Sequence, residues 1–189
     1  GVEADWLYVT TMAGSMKVPN RLFSQAKAAG MKICFNPGKR ELAKPEELRG
    51  LLEDVDVVLA NKGEMQQMFQ GDDLIELVLH ALNVVPVVLA TDGGNGVAAS
   101  DGKTLIRAGR YEDGKVVDQT GAGDAFGSGF LSQWAVGKSL RESVIFASAN
   151  SLSVVGKRGA KTGILHRGGR LHEMPLHEQP LERRGEHGA

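Results

Sequence analysis

The hydrophobic positions along this chain follow two different periods. Short runs that are apolar on both faces, such as residues 85–91, are typical of strands buried on both faces of a sheet. Leu74, Leu77, Val78 and Ala81 recur at three- and four-residue spacing, which predicts an amphipathic helix. Because strands and helices alternate along the first half of the chain, the pattern predicts an α/β fold with a largely parallel sheet.

The predicted elements can be placed along the whole chain. Strands are expected at residues 6–11, 31–36, 55–60 and 85–91, and helices at 19–29, 45–53, 64–69 and 72–83. Residues 96–100 and 104–108 then flank Asp101-Gly102-Lys103, a turn sequence that predicts a β-hairpin. Two further helices are expected, at 123–136 and 140–155. Beyond these the chain turns polar, which predicts one domain over residues 1–167 and a poorly ordered tail over 168–189.

Composition narrows the class of protein. A length of 189 residues suits one domain, and a hydrophobic content of 42% with a net charge of −1 is ordinary for a water-soluble protein. No basic run suggests a nucleic-acid partner, and the longest apolar runs are too short to span a bilayer. The single cysteine, Cys34, lies in an apolar run, so we expect a buried thiol and a reducing, cytoplasmic location.

The run Asp-Gln-Thr-Gly-Ala-Gly-Asp-Ala-Phe at residues 118–126 carries the clearest chemistry. It follows a short apolar stretch and opens a helical pattern. Its glycines free the backbone to approach a ligand, and unpaired N–H groups at a helix start bind anions. Asp124 would lie beside such an anion, where a carboxylate can accept the proton of a hydroxyl that attacks phosphorus.

Two more segments follow predicted strands, at the edge where open α/β sheets bind ligands. Asn61 and Glu64 could supply oxygen ligands to Mg²⁺, although Asn61 could equally be a helix cap with Glu64 in the first turn. The second segment, residues 91–96, has a flexible backbone that could wrap nucleotide phosphates or ribose, or could be a plain loop into the hairpin. Its candidate ligand-binding residues are Thr91, Gly93, Gly94 and Gly96.

Two other phosphate-binding classes are excluded by spacing. A dinucleotide-binding oxidoreductase needs G-x-G-x-x-G, whereas the spacing between Gly123 and Gly127 is one residue too long for the last two glycines of that motif after Gly121. In addition, the helix predicted after these glycines is followed by a second helix and not by a strand. A P-loop needs G-x-x-x-x-G-K-[ST], and Gly96 lies one residue away from the position that Gly102 would require.

The order D-x-T-G-A-G-D-x-F after N-x-x-E and T-x-G-x-x-G-V resembles the PfkB, or ribokinase-like, carbohydrate kinases. The resemblance implies that Asp124 is the catalytic base and that the amides of Gly121, Ala122, Gly123 and Asp124 form the anion hole. It implies that Asn61 and Glu64 organise Mg²⁺ and that the 91–96 segment contacts ATP. It also places Asn150 near the base, where an exposed helical Asn is the simpler alternative. Asp118 and Thr120 match ligands of a monovalent cation such as K⁺.

The resemblance covers residues 5–165 and only the C-terminal portion of such kinases. It therefore implies a ribokinase-like three-layer sandwich that lacks the N-terminal part and its lid. The function implied is transfer of the ATP γ-phosphoryl group to a hydroxyl of a sugar or related metabolite. A nucleoside kinase and a non-catalytic nucleotide-binding fragment remain alternatives. Because the chain opens on a strand without Met, it reads as part of a longer protein, and an exposed sheet edge would favour aggregation or a homodimer.

Overall fold

The computed structural model describes residues 3–11, 16–111, 116–159, 162–166 and 171–181. Its strands are β1 (Trp6–Val9), β2 (Lys32–Phe35), β3 (Val57–Asn61), β4 (Val87–Thr91), β5 (Val97–Ser100), β6 (Thr104–Ala108) and β7 (Leu176–Pro180). Its helices are α1 (Lys17–Ala28), α2 (Lys39–Leu42), α3 (Pro45–Leu52), α4 (Lys62–Met68), α5 (Leu74–Ala81), α6 (Ala122–Trp134) and α7 (Leu140–Val155). A short 3₁₀ turn, Gly93–Asn95, separates β4 from β5.

The strands form one sheet in the order β1-β2-β3-β4-β5-β6-β7. Strands β1 to β4 pair in parallel, whereas β4 to β7 pair antiparallel. The α/β class is therefore confirmed, but the expected largely parallel sheet is mixed. The reason is that short connections such as the hairpin turn at Asp101 can join only antiparallel strands, while parallel pairs need a crossover.

Helices cover both faces of this sheet, in the three-layer arrangement that the sequence predicts. Side chains alternate along β3, so that Val58 packs with α1, α3 and α5 while Leu59 packs with α6 and α7. Phe23 is at the centre of the first core and Phe130 at the centre of the second. The alternation places α6 and α7 together on the same face, where the candidate site is built.

Strand β7 is a correction to the predicted poorly ordered tail. It pairs with β6 over its whole length, and Leu181 N donates to Lys103 O at 2.7 Å. Just before it, Gly109 N donates to Pro175 O at 2.8 Å and Met174 is buried. The side chains of β7 are mostly exposed, so this edge strand carries no hydrophobic pattern that would reveal it. Of the predicted tail, residues 168–170 and 182–189 lie outside the described part.

Two smaller features complete the comparison with the sequence. The four-residue helix α2 was not predicted; it begins at Lys39, and the N–H of the preceding cap residue, Gly38, donates to the buried carboxylate of Glu41 at 3.0 Å. Cys34 is buried as expected, and burial raises the pKa of its thiol. A thiol held protonated in this way is a poor nucleophile.

Candidate active site

The start of α6 is the centre of the candidate site. Gly121 precedes it in the left-handed conformation, with φ of 83°, which a residue with a side chain rarely adopts. Ala125 N donates to Gly121 O at 2.8 Å, and Ala122 N donates to Gln119 O at 3.3 Å. None of the hydrogen bonds among the described residues uses the N–H groups of Gly123 or Asp124. Two amides at this helix end are thus available to an anion, whereas that of Ala122 is already engaged.

The segment before α6 is fastened to the end of α7. The Asp118 carboxylate accepts from Thr120 N at 2.9 Å and from Gly159 N at 3.2 Å. Val117 N donates to Val155 O at 2.8 Å. The hydroxyl and N–H of Thr120, together with the Gly159 N–H, hold the pKa of Asp118 below its usual range. The two predicted cation ligands, Asp118 and Thr120, therefore lie together. The Asp118 carboxylate already joins the segment before α6 to the segment after α7 by hydrogen bonds.

Asn150 braces the first turn of α6 from α7. Its Nδ2 donates to Ala125 O at 2.7 Å, and its Oδ1 accepts from Leu165 N at 2.8 Å. One residue later, Ser151 Oγ donates to Ala122 O at 3.0 Å. Asn150 is only 2% exposed, so the simpler expectation of an exposed helical Asn is wrong. Because its amide is bonded on both sides within the protein, its evident role here is to hold the helix start in place.

Asn61 and Glu64 form a reciprocal cap where β3 passes into α4. Asn61 Oδ1 accepts from Glu64 N at 3.0 Å, and Asn61 N donates to Glu64 Oε2 at 2.9 Å. This is the simpler of the two expectations for the pair, and it is confirmed. The cap leaves Glu64 Oε1 unused by any described hydrogen bond, so an oxygen remains at this edge of the sheet.

The glycine-rich loop after β4 folds back onto the hairpin. Asn95 N donates to Asp92 O at 2.8 Å, and Asp92 N donates to Gly96 O at 2.9 Å. Gly96 has φ of 101°, and a Cβ there would overlap the carbonyl oxygen of Ala108. Glycine is therefore required at Gly96, both for its backbone conformation and for its contact with β6.

A cavity of about 620 Å³ joins these pieces. The predicted residues that line it come from three separate segments: Asn61, Thr91, Gly93, Gly94, Gly96, Ala122 and Gly123. Asp124 is exposed in the first turn of α6 beside this cavity, and Glu64 lies in the first turn of α4, next to Asn61. Asp118, Thr120 and Asn150 do not line it.

Several lining residues were not predicted. They include Gly109, Arg110 and Tyr111 after β6, and Ser148, Ser151, Leu152 and Val155 on α7. The α7 residues are spaced by three or four along one helix face, which is a signal present in the sequence. Which face of α7 would meet a ligand could not be read from that spacing alone.

The comparisons with known proteins agree with this geometry. The model of the pfkB family carbohydrate kinases matches residues 2–167. This chain belongs to that family. The family that the sequence resembles is therefore confirmed.

Among curated relatives, the chain is similar to an ATP-dependent 6-phosphofructokinase from Thermoanaerobacterium thermosaccharolyticum. The two are 29% identical over 145 residues, which are 71% of this chain and 45% of the relative. It is also 29% identical over 144 residues to a cytidine kinase from Thermococcus kodakarensis, covering 74% of this chain and 51% of the relative. The chain thus spans about half the length of the curated relatives it matches.

The fold is shared with solved structures of ribokinase-like proteins. A protein described as a ribokinase II from E. coli, whose structure holds ATP and Mg²⁺, gives a TM-score of 0.73 at 23% identity. That match covers 85% of this chain and 55% of the other. None of the helices in the described residues is long and apolar enough to cross a membrane.

Proposed function

We propose that this chain is the nucleotide-binding and catalytic portion of a PfkB kinase that transfers the γ-phosphoryl group of ATP to a hydroxyl of a sugar or related metabolite. The observation that carries the proposal is that the 91–96 loop and the start of α6 line the same cavity. One wall offers glycine backbone for the nucleotide, and the other offers free helix-terminal amides for the transferred group. Its volume lies within the range of small-molecule sites.

In this proposal Asp124 takes the proton of the acceptor hydroxyl. As the acceptor oxygen bonds to the γ-phosphorus, the bond from that phosphorus to the β–γ bridging oxygen breaks, and ADP leaves. Negative charge on the phosphoryl oxygens is stabilised by the N–H groups of Gly123 and Asp124, with Gly121 and Ala122 shaping the turn. Positioning and electrostatics of this kind supply most of the catalysis in phosphoryl transfer.

The residues at the carboxyl edge of β3 fit a Mg²⁺ ion that is held mainly by phosphate and water. Glu64 and Asn61 offer oxygen donors, the type that Mg²⁺ prefers. No cluster of three or more His, Cys, Asp or Glu side chains suited to a metal ion occurs within the described ranges. When bound, the ion would supply charge neutralisation for the phosphates, while Glu64 would orient it through water.

A monovalent cation such as K⁺ is proposed near Asp118 and Thr120. The described contacts bring that turn against the end of α7. Activity that rises with K⁺ but not with tetramethylammonium at equal ionic strength would support the proposal. Equal activity in the two salts would remove it.

Two alternatives stay open within the family. The acceptor could be a nucleoside, since the similar proteins include a cytidine kinase as well as a phosphofructokinase. The chain could also bind nucleotide without turnover, because it spans about half the length of those relatives.

The half-buried side chains of the edge strand β1 are consistent with the predicted self-association, which size-exclusion chromatography would test.

The deciding experiment measures two quantities on the full chain. MgATP binding is followed by calorimetry, and ADP release is followed with a panel of sugars, sugar phosphates and nucleosides. Asp124→Ala is expected to abolish ADP release while leaving MgATP affinity within about threefold. Asp72→Ala, which removes an exposed carboxylate between α4 and α5, is the matched control and should match the wild type.

Each result has a distinct meaning. Acceptor-dependent ADP release that is lost in Asp124→Ala supports the kinase and names its acceptor class. Binding without turnover favours the non-catalytic alternative for this chain. No MgATP binding contradicts the proposal.

A further inference from the structure

Tyr8 is a half-buried side chain with a buried hydroxyl that the proposed mechanism leaves unused. It lies on β1 opposite Cys34 of β2, and its ring packs on the α6 face of the sheet. Its hydroxyl oxygen is shielded from solvent and has no hydrogen-bond partner among the described residues. Buried polar atoms are nearly always hydrogen-bonded, so an exception beside a candidate active site calls for an explanation.

Gly127 fixes the position of that hydroxyl. A Cβ at Gly127 would overlap Tyr8 Oη and would lie 2.5 Å from Leu59 Cδ2. Only glycine therefore allows the tip of the tyrosine ring to reach the surface of α6. Residues three apart lie on the same side of a helix, so the hydroxyl meets α6 one turn after Asp124.

Asp124 is the charged group that acts on this hydroxyl from α6. Burial is the largest cause of the raised pKa of Tyr8, followed by the Cys34 thiol and the Asp124 carboxylate, whereas Asn36 lowers it. Asn36 lies close by but does not reach hydrogen-bond geometry with the hydroxyl. In the part of the chain that the structure describes, no hydrogen bond uses the exposed carboxylate of Asp124.

The Tyr8 hydroxyl is thus a buried donor without a described acceptor, and it lies near the Asp124 carboxylate, which accepts no described hydrogen bond. We propose that Tyr8 is a positioning residue for Asp124, and that its hydroxyl donates to the carboxylate when the site is occupied. No described hydrogen bond restrains the Asp124 side chain, so it is free to change rotamer towards the hydroxyl, which meets the same helix at Gly127. This inference rests on the proposed function, in which the other carboxylate oxygen takes the proton of the acceptor.

The first test reads the contact without turnover. Tyr8 and Tyr111 are the two tyrosines of the chain, so ¹³Cζ-tyrosine labelling gives two signals, which Tyr8→Phe assigns. A non-hydrolysable MgATP analogue is expected to shift the Tyr8 signal in the wild type but not in Asp124→Ala. Because Tyr111 lines the cavity, its signal is expected to shift in both proteins and reports nucleotide binding.

The outcomes separate the two proposals. A Tyr111 signal that does not move shows that no nucleotide binds, and the proposed function fails together with this inference. A Tyr111 signal that moves, with a Tyr8 signal that is unchanged or responds equally in Asp124→Ala, overturns the positioning role alone.

The second test uses kinetics, since a merely structural tyrosine would not affect them. Tyr8→Phe keeps the ring that packs beneath Gly127 and removes only the hydroxyl. Its melting temperature without ligand is expected to equal or exceed that of the wild type, because an unpaired buried hydroxyl is lost. Its kcat is expected to fall about tenfold, with the KM for MgATP unchanged.

Trp6→Phe is the control for the second test. Trp6 lies on the same strand and the same face as Tyr8, two residues further from the Asp124 end, and its kcat should stay within about twofold of the wild type. A Tyr8→Phe variant that keeps its kcat, whatever its melting temperature, would overturn the inference.

Discussion

Asn150 Nδ2 donates to the backbone carbonyl of Ala125 at 2.7 Å, and this bond joins α7 to the first turn of α6. The same amide accepts from Leu165 N at 2.8 Å, so one buried side chain connects three segments. The helix start that offers its N–H groups to the cavity is therefore held from behind, by a residue that does not line the cavity.

Replacing Asn150 by Ala should destabilise the fold. The change leaves Leu165 N without its partner, which costs about 1–3 kcal/mol, and removes from Ala125 O the closer of its two side-chain donors, which costs about 0.5–1.5 kcal/mol. The free energy of unfolding, measured in urea, is expected to fall by at least about 2 kcal/mol.

Asn83→Ala is the matched control for this change. Asn83 is exposed and its Nδ2 donates to His80 O at 3.1 Å, so its loss should change the free energy of unfolding by no more than about 0.5 kcal/mol. Equal effects of the two changes would mean that Asn150 does not brace α6.

A methyl group at Gly127 should be harmful where the same change at Gly50 is not. Both are helical glycines, but a Cβ at Gly127 would meet Tyr8 and Leu59, while at Gly50 nothing lies within 4 Å. Gly127→Ala is expected to lower the free energy of unfolding by about 1–3 kcal/mol through overpacking.

Gly50→Ala is expected to raise the free energy of unfolding by up to about 1 kcal/mol, because alanine has the higher helix propensity. Urea unfolding of the two variants measures both numbers. A Gly127→Ala variant as stable as the wild type would show that Tyr8 and α6 can move apart.

The long helices were predictable because their signals are local. Residues 140–155 were predicted as a helix with the bounds that α7 has. There Ser139 caps the helix, and its Oγ accepts from Glu142 N at 3.2 Å. Residues close together in the sequence therefore determine where this helix begins. The same holds for the turn at Asp101, whose Oδ1 accepts from Lys103 N and Thr104 N.

Features that depend on distant contacts could not be predicted. Helix α2 is only four residues long, and the Glu41 carboxylate that caps it also accepts from Thr11 Oγ1 at 3.0 Å, thirty residues away. Strand β7 is set by its pairing with β6 and not by its own polar side chains. At the site, the motifs predict Asp124 and the glycine loops as candidates, but the bracing contacts of Asn150 depend on the packing of α6 on α7.

Glu64→Gln should show whether Glu64 of the N-x-x-E motif is only a helix cap or also organises Mg²⁺. Gln can take the same capping position, so the reciprocal cap with Asn61 is retained and the free energy of unfolding should change by less than about 0.5 kcal/mol. The loss of the negative charge should nevertheless raise the Mg²⁺ concentration needed for half-maximal ADP release by about tenfold.

Gln67→Glu supplies the opposite comparison for Glu64→Gln, since it adds a carboxylate to the exposed surface of the same helix and should leave the Mg²⁺ requirement unchanged. If Glu64→Gln keeps the wild-type Mg²⁺ requirement, Glu64 is a helix cap and nothing more.

Acid should weaken the start of α7 through Glu142. The N–H of Ser139, the Lys138 side chain and the Ser139 hydroxyl lower the pKa of Glu142 from 4.5 to about 2. Because the folded pKa lies below the unfolded one, this carboxylate contributes stability that is complete above pH 4.5 and is lost as the pH falls towards 2.

Glu142→Gln removes that contribution and leaves a side chain able to cap. The stability difference between wild type and Glu142→Gln, measured by urea unfolding at several pH values, should therefore be constant near neutral pH and shrink below about pH 4.5. Glu46→Gln is the control, since Glu46 only pairs with Arg49 at 3.9 Å on the exposed face of α3. A difference between wild type and Glu142→Gln that is the same at pH 3 as at pH 7 would place the acid sensitivity of this fold elsewhere, because Glu142 would then bind its proton equally in the folded and unfolded chain.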